Sequence, residues 1–246
     1  MKLKESAIIA EAGVDYPRMQ ASPIYTHFKN TIAAALREYD PRNLHTAEEK
    51  LAFWINLYNL LTIDAVVQFA VRRSVTEGCF GMIRFFRRAS YNVGGMRFSL
   101  EDIEHGILRA NRGVSYFPGS HFSCQDPRYR LTLREIDPRI HFALNCASKS
   151  CPPIAFYTPE RIHAQLDLAA ANFIDGETHL HSSGVALIIS RIFKWYQKDF
   201  GGRAGVLDFI ARYLPKQDIR RQLIENFDYR TIAEYANYDW YLNSLA

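Results

Sequence analysis

The sequence predicts an α+β fold, a helix-rich single domain around a small, mainly antiparallel sheet. Two observations carry that expectation. Helix-opening signals recur along the chain, at Ser22-Pro23, Thr46-x-x-Glu49, Ser99-x-x-Asp102 and Pro159. Short apolar runs joined by turn residues lie among them, around Asn92-Val93-Gly94-Gly95 and Ser182-Ser183-Gly184. Composition agrees: a chain of 246 residues, 48% hydrophobic and 23% charged, can bury a sizeable core. We read residues 1–246 as one domain, with a helical extension over 1–44, a core over 45–202 and a helical segment over 203–246. A formal charge of +4 neither demands nucleic acid nor excludes it, and none is expected as a partner. No run of about 18 apolar residues predicts a membrane span. Basic Met1-Lys2-Leu3-Lys4 is followed by Glu5 and Glu11, which argues against a secretory signal. Cys79, Cys124, Cys146 and Cys151 are too few for a disulfide scaffold, so the expected compartment is the cytoplasm.

In chain order, Ser22 caps a helix that should run to about Glu38. The Thr46/Glu49 capping box opens a second, over about residues 47–71. Leu51, Trp54, Ile55, Tyr58, Leu61 and Val66 leave that helix no polar face, so it is expected to be buried. A hairpin should turn at Gly94-Gly95, and Ser99/Asp102 should start a helix reaching about Asn111. Residues 112–128 read as a long loop and Ile140 to Cys146 as a short strand. Pro159 begins a helix to about Phe173, strands follow over 178–181 and 185–193, and the remainder from about Val206 reads as mostly helical.

Several constellations can carry chemistry. Cys146, at the end of the expected strand, is a candidate nucleophile if a cation or imidazole lowers its pKa; otherwise it is a packed thiol. His141 lies an odd number of residues away, on the opposite face of such a strand. Cys146, Cys151, His121 and Cys124 offer a weakly spaced metal site, and a Cys146–Cys151 disulfide would be unusual in a reducing cytosol. Glu104 falls in the apolar stripe of its helix, so it needs a buried partner or must be neutral. His105 on the flank is a candidate base; the alternative is a histidine bonded to Glu101 or Arg109 one turn away. Asn56 and Asn59 share one face of the buried helix, where they either satisfy loops or orient an imidazole. Asp199 is expected either to accept from a His or Arg or to serve a turn, and Arg84-Phe85-Phe86-Arg87-Arg88 with Arg72 and Arg73 to form a solvated or substrate-steering face.

These segments together resemble a family catalogued as domain of unknown function 547. The resemblance rests on Ala52-Phe53-Trp54-Ile55-Asn56-Leu57-Tyr58-Asn59, Gly94-Gly95, and Leu100-Glu101-Asp102-Ile103-Glu104-His105-x-Ile107-Leu108-Arg109. It continues through Asp137 to Cys146, Ser150-Cys151-Pro152-Pro153, and Lys194-Trp195-Tyr196 with Asp199-Phe200, covering about residues 45–202. It implies a set of residues rather than a reaction: Asn56, Asn59, Glu104, His105 and Cys146 match the motif cores. Plant relatives can carry Ser at the position of Cys151, so a role for Cys146 need not require Cys151. Those relatives also join the module to coiled-coil segments.

The expectation is then a cysteine-dependent hydrolase or acyl transferase, with papain- or transglutaminase-like logic and no cofactor. Cys146 would attack an amide, ester or thioester of a small molecule or peptide, and His105 would carry the proton. Glu104, Asn56 or Asn59 would hold the imidazole, and amides near Cys146 to Ser148 would stabilise the oxyanion. Trp54, Tyr58, Arg109, Ser148, Lys149 and Tyr196 would line the substrate site. The alternative is a non-catalytic interaction or scaffold module in which the same polar set fixes the core. A third reading is a metal site of Cys146, Cys151 and His105.

Overall fold

A computed structural model describes residues 9–10, 13–77, 81–114, 119–227 and 232–245. The fold is α+β: helices predominate, and the strands form sheets of two, two and three members. The chain divides into two compact units. Unit 1 comprises Met1–Ile136, Ala143–Ile162 and Asp239–Ala246; unit 2 comprises Asp137–Phe142 and His163–Tyr238. The expected division near residues 44 and 202 does not coincide with these boundaries. The N-terminal extension and the last residues of the chain both belong to unit 1.

Unit 1 opens with a two-residue pair, β1 (Ile9–Ala10) and β2 (Gly13–Val14), and then α1 (Tyr16–Ala21). Ser22 caps α2 (Pro23–His27) as expected, but a π-helical turn over Phe28–Ile32 interrupts the run before α3 (Ala33–Ala35). The centre of the unit is α4 (Ala47–Gln68). Its start is fixed by the capping box, with Thr46 Oγ1 accepting from the Glu49 amide and Glu49 accepting from the Thr46 amide. By length and composition α4 could cross a bilayer, yet 72% of its most apolar window is buried inside the protein, as in a core helix. Trp54 is fully buried and packs between Phe53 and Phe98, at ring separations of 5.0 and 4.8 Å. Helix α5 (Gly81–Arg88) leads into the hairpin β3 (Ser90–Val93) and β4 (Met96–Ser99), which turns at Gly94-Gly95 with both glycines at positive φ.

Ser99 and Asp102 then open a helix reciprocally, the Ser99 amide donating to Asp102 and the Asp102 amide to Ser99 Oγ. That helix is π over Asp102–Leu108, not the α-helix its pattern suggests.

One local device recurs. In Asp40-Pro41-Arg42, Asp126-Pro127-Arg128 and Asp137-Pro138-Arg139 the aspartate accepts from the arginine amide and also grips the same arginine's guanidinium. Proline presets φ for a tight turn, and each triplet starts a 3₁₀ segment. This device corrects the strand expected over Ile140 to Cys146. The third triplet winds Pro138–Phe142 into 3₁₀ helix, and irregular backbone follows. The opposite-face argument about His141 lapses with the strand.

The last residues of unit 1 run antiparallel to the segment after Cys146. Asn243 donates to Ala147 O at 2.9 Å and Lys149 donates to Tyr241 O at 2.8 Å. The same segment is tied to Arg73 O and to both backbone groups of Val14. The Tyr16 hydroxyl donates to Asn243 Oδ1 at 2.7 Å.

Unit 2 contains α6 (Ile162–Glu177), entered through a 3₁₀ turn at Pro159–Arg161, and the antiparallel pair β5 (Thr178–Leu180) and β6 (Leu187–Ile189). After α7 (Ile192–Trp195), α8 (Gly202–Tyr213) and α9 (Ile219–Phe227), β7 (Ile232–Tyr235) adds in parallel to β6. That strand lies in the tail expected to be mostly helical. Its core is aromatic, with Phe142, Phe173, Phe193, Phe200 and Phe209 in one buried cluster.

Candidate functional site

Three consecutive features of α4 organise the polar set of unit 1. Asn56 clamps the backbone of Tyr157, donating to its carbonyl at 2.7 Å and accepting from its amide at 3.0 Å. Asn59 does the same for the segment entering Cys146: Nδ2 donates to Ala143 O at 2.9 Å and Oδ1 accepts from the Asn145 amide at 2.8 Å. Between them, the buried Tyr58 hydroxyl donates to Glu104 Oε2 at 3.0 Å. Neither amide therefore touches an imidazole. Both satisfy buried or half-buried backbone that no helix or sheet serves.

The π-helix carries Glu104 and His105. Glu104 is buried, which explains why its carboxylate takes the tyrosine bond. His105 Nδ1 lies 2.6 Å from Arg109 Nη1, and that arginine is itself buried and donates to Gly113 O at 3.0 Å. A guanidinium only donates, so Nδ1 must accept and the neutral ring carries its proton on Nε2. Burial pushes the His105 pKa down to about 4; Arg109 and His121 push the same way, while Glu104 opposes them. Around the helix start, Asp102 accepts from Ser99 Oγ at 2.6 Å, faces His121 Nε2 at 2.9 Å and pairs with Arg128 at 3.2 Å. Burial alone would raise this carboxyl, but those partners outweigh it and hold it down at about 2.

Cys146 is joined to Cys151 by a disulfide, with Cα atoms 6.2 Å apart. A disulfide, expected to be unusual in a reducing cytosol, therefore occupies this thiol, and the nucleophile expected from its place at a strand end would exist only in the reduced protein. Asn145 ties the two ends of the loop, its Nδ2 donating to Pro152 O at 2.7 Å while Oδ1 accepts from the Ala147 amide at 2.8 Å. Ala147 turns the chain with φ of 67°, a left-handed conformation that few residues other than glycine adopt. Two of the amides expected to form an oxyanion hole are engaged: that of Cys146 points to Cys151 Sγ at 2.9 Å, and that of Ala147 to Asn145 Oδ1 at 2.8 Å. Ser148 is buried with Oγ 3.3 Å from Cys146 Sγ. Cys146 itself is half-buried, and Lys149 is exposed.

The remaining expected site residues are dispersed. Trp54 and Tyr58 are core, and Arg109 is sealed beside His105, so none of the three lines an open surface. Tyr196 belongs to unit 2, where it stacks on His141 at 3.9 Å. His141 is paired with Asp199, Nε2 to Oδ2 at 3.0 Å, which fulfils the expectation that Asp199 accepts from a histidine. The His121/Cys124 pair does not assemble as ligands: His121 faces Asp102, and Cys124 is exposed with a free thiol. Among the described residues no group of three or more His, Cys, Asp or Glu is arranged to hold a metal, and Cys79 lies outside those residues. Sequence reasoning missed the Asp102–His121 pair. Its one available signal was the capping spacing at Ser99/Asp102, which marked Asp102 for a backbone role only.

The model of the family described as protein of unknown function, DUF547, matches residues 41–174, more than half of the chain. The chain belongs to the DUF547 family. The matched span carries every polar residue of the unit 1 set, from Asn56 through Cys151. No curated protein and no solved structure matches this DUF547 chain, so the papain- or transglutaminase-like expectation gains no support from either.

Proposed function

We propose that this DUF547 chain is a non-catalytic protein-interaction module whose His-Glu-Asn-Cys set is a buried polar network that fixes the fold. The observation that carries this reading is the bond from Arg109 to His105 Nδ1. A catalytic imidazole needs an unprotonated nitrogen facing its nucleophile and an N–H on the far side held by an acceptor. Here Arg109 already occupies the Nδ1 lone pair and the ring proton sits on Nε2, so the ring is set to give a hydrogen bond rather than to take a proton. The two asparagines are likewise engaged with backbone, the Cys146 amide with sulfur and the Ala147 amide with the Asn145 side chain. The test is turnover. Reduced protein, offered amide, ester and thioester substrates, should show no hydrolysis that depends on Cys146.

One observation favours a second reading. Cys146 stays half-buried while Asn59, Glu104 and Arg109 of the same polar set are sealed. In the reduced protein that thiol, like that of half-buried Cys151, would be a reachable nucleophile, the starting point of a cysteine hydrolase or acyl transferase. Turnover lost in Cys146→Ala would establish this reading and remove the first.

A further inference from the structure

The charge of this protein is concentrated in one short stretch. Residues 68–88 hold five arginines against one glutamate, a surplus equal to the formal +4 of the entire chain. The described parts of that stretch pack against one another. Helix α5 packs on the end of α4 through Phe69 and Phe85, whose rings are 6.0 Å apart, and the Arg88 guanidinium lies 5.5 Å from the Phe69 ring centre. Gly81, the first residue of α5, abuts the Thr76 carbonyl so closely that a Cβ would collide with it, and Thr76 follows Arg72 by four residues and Arg73 by three in its own segment.

Arg87 is held by Glu101 at 2.6 Å, but Arg72, Arg73, Arg84 and Arg88 are exposed and make no ion pair among the described residues. Two large apolar side chains of the same stretch are also exposed, Phe69 at 42% and Met82 at 38%, and Phe69 is the ring that Arg88 covers.

We propose that Arg72, Arg73, Arg84 and Arg88, with Phe69 and Met82, form a docking surface for an anionic lipid bilayer. The chemistry has two halves, and a charged bilayer answers both. Guanidinium groups pair with headgroup phosphates and carboxylates, bidentate where geometry allows. Phenylalanine and methionine enter the boundary between headgroups and acyl chains, where an exposed apolar side chain leaves water. A nucleic-acid backbone would take up the arginines and give Met82 little to bury. Four exposed cations without a lipid anchor give reversible, salt-sensitive attachment rather than insertion. None of these six residues belongs to the polar set of Asn56, Asn59, Glu104, His105 and Cys146, so the proposal stands or falls independently of the function proposed for that set.

The test is co-sedimentation of the full chain with vesicles of phosphatidylcholine alone and of phosphatidylcholine with about one-third phosphatidylserine. Partition onto the anionic vesicles should exceed that onto neutral ones by at least about tenfold and fall as salt is raised. Arg84→Gln with Arg88→Gln should reduce it about tenfold, and Met82→Ser should also weaken it. Arg88 touches Phe69, so a thermal melt accompanies that pair. Arg72→Gln with Arg84→Gln, which removes no ion pair among the described residues, gives the same readout if the first pair unfolds. Equal partition onto both vesicles, or none onto anionic ones, overturns the proposal. So does binding that single-stranded RNA displaces and Met82→Ser leaves unchanged, which would assign the surface to nucleic acid.

Discussion

Replacing Asn59 with alanine should destabilise unit 1 more than any other single change in the polar set. The side chain is 2% exposed and serves two backbone groups, the Ala143 carbonyl at 2.9 Å and the Asn145 amide at 2.8 Å. Alanine leaves both without their partner in a site closed to water. An orphaned buried backbone group costs about 1–3 kcal/mol, so the loss should be about 2–5 kcal/mol, against a total near 5–15 kcal/mol for a typical domain. Asn59→Asp should be no better at neutral pH: a carboxylate accepts from the Asn145 amide but turns a lone pair toward the Ala143 oxygen. Asn56→Ala supplies the comparison. It removes a similar pair of bonds to Tyr157, but Asn56 is half-buried and water can replace part of them, so about 1–2 kcal/mol is expected. The assay is urea unfolding without reductant, with the slope of the transition compared between variants. An Asn59→Ala variant within about 0.5 kcal/mol of the parent, or one more stable than Asn56→Ala, would refute the fastening role.

Acid should weaken the fold through His105. Its pKa falls from 6.5 to about 4 on burial, so the unfolded chain binds a proton that the folded chain refuses between those values. The stabilisation is complete above about pH 6.5 and lost as pH falls toward 4, up to about 3 kcal/mol, and urea unfolding of His105→Asn across that range should show a flatter profile. Gly106→Ala should cost about 1–3 kcal/mol, because a Cβ there runs into the Phe122 ring; an unchanged melting temperature would contradict the packing. Thr46→Ala should cost about 1 kcal/mol by opening the capping box of α4, again by urea unfolding, and no change would mean the helix start is held elsewhere.

Much of this architecture was legible because its signals are local. Thr46 and Glu49, Ser99 and Asp102, and Gly94-Gly95 each act within a few residues, and each appears in the structure as expected. What escaped has two physical causes. The first is that periodicity at 3.6 residues cannot distinguish a π-helical turn, so Phe28–Ile32 and Asp102–Leu108 read as ordinary helix. A short apolar run is equally ambiguous, and Asp137-Pro138-Arg139 decided it against a strand. The second cause is distance along the chain. Asn59 meets its partners 84 and 86 residues away, and His141 meets Asp199 after 58. Residue types marked the polar set, but roles depend on which atom faces which. The spacing offered Arg109 as a partner one turn from His105, as the structure has it, but not which ring nitrogen it would meet. The parallel strand β7 was hidden for the same reason, since its pairing with β6 spans more than forty residues of helix and loop.

The central claim is that the polar set around Cys146 holds the fold and does not prime a nucleophile. Alkylation of Cys146 as a function of pH tests it most directly, resolved by peptide mass spectrometry, with and without prior reduction, in the parent and in His105→Asn. The account predicts no labelling of Cys146 before reduction, because Cys151 holds its sulfur. After reduction it predicts labelling with a midpoint near or above the ordinary thiol value of about 8.5, unchanged in His105→Asn. Rapid labelling of reduced Cys146 well below that pH, abolished in His105→Asn, would contradict it.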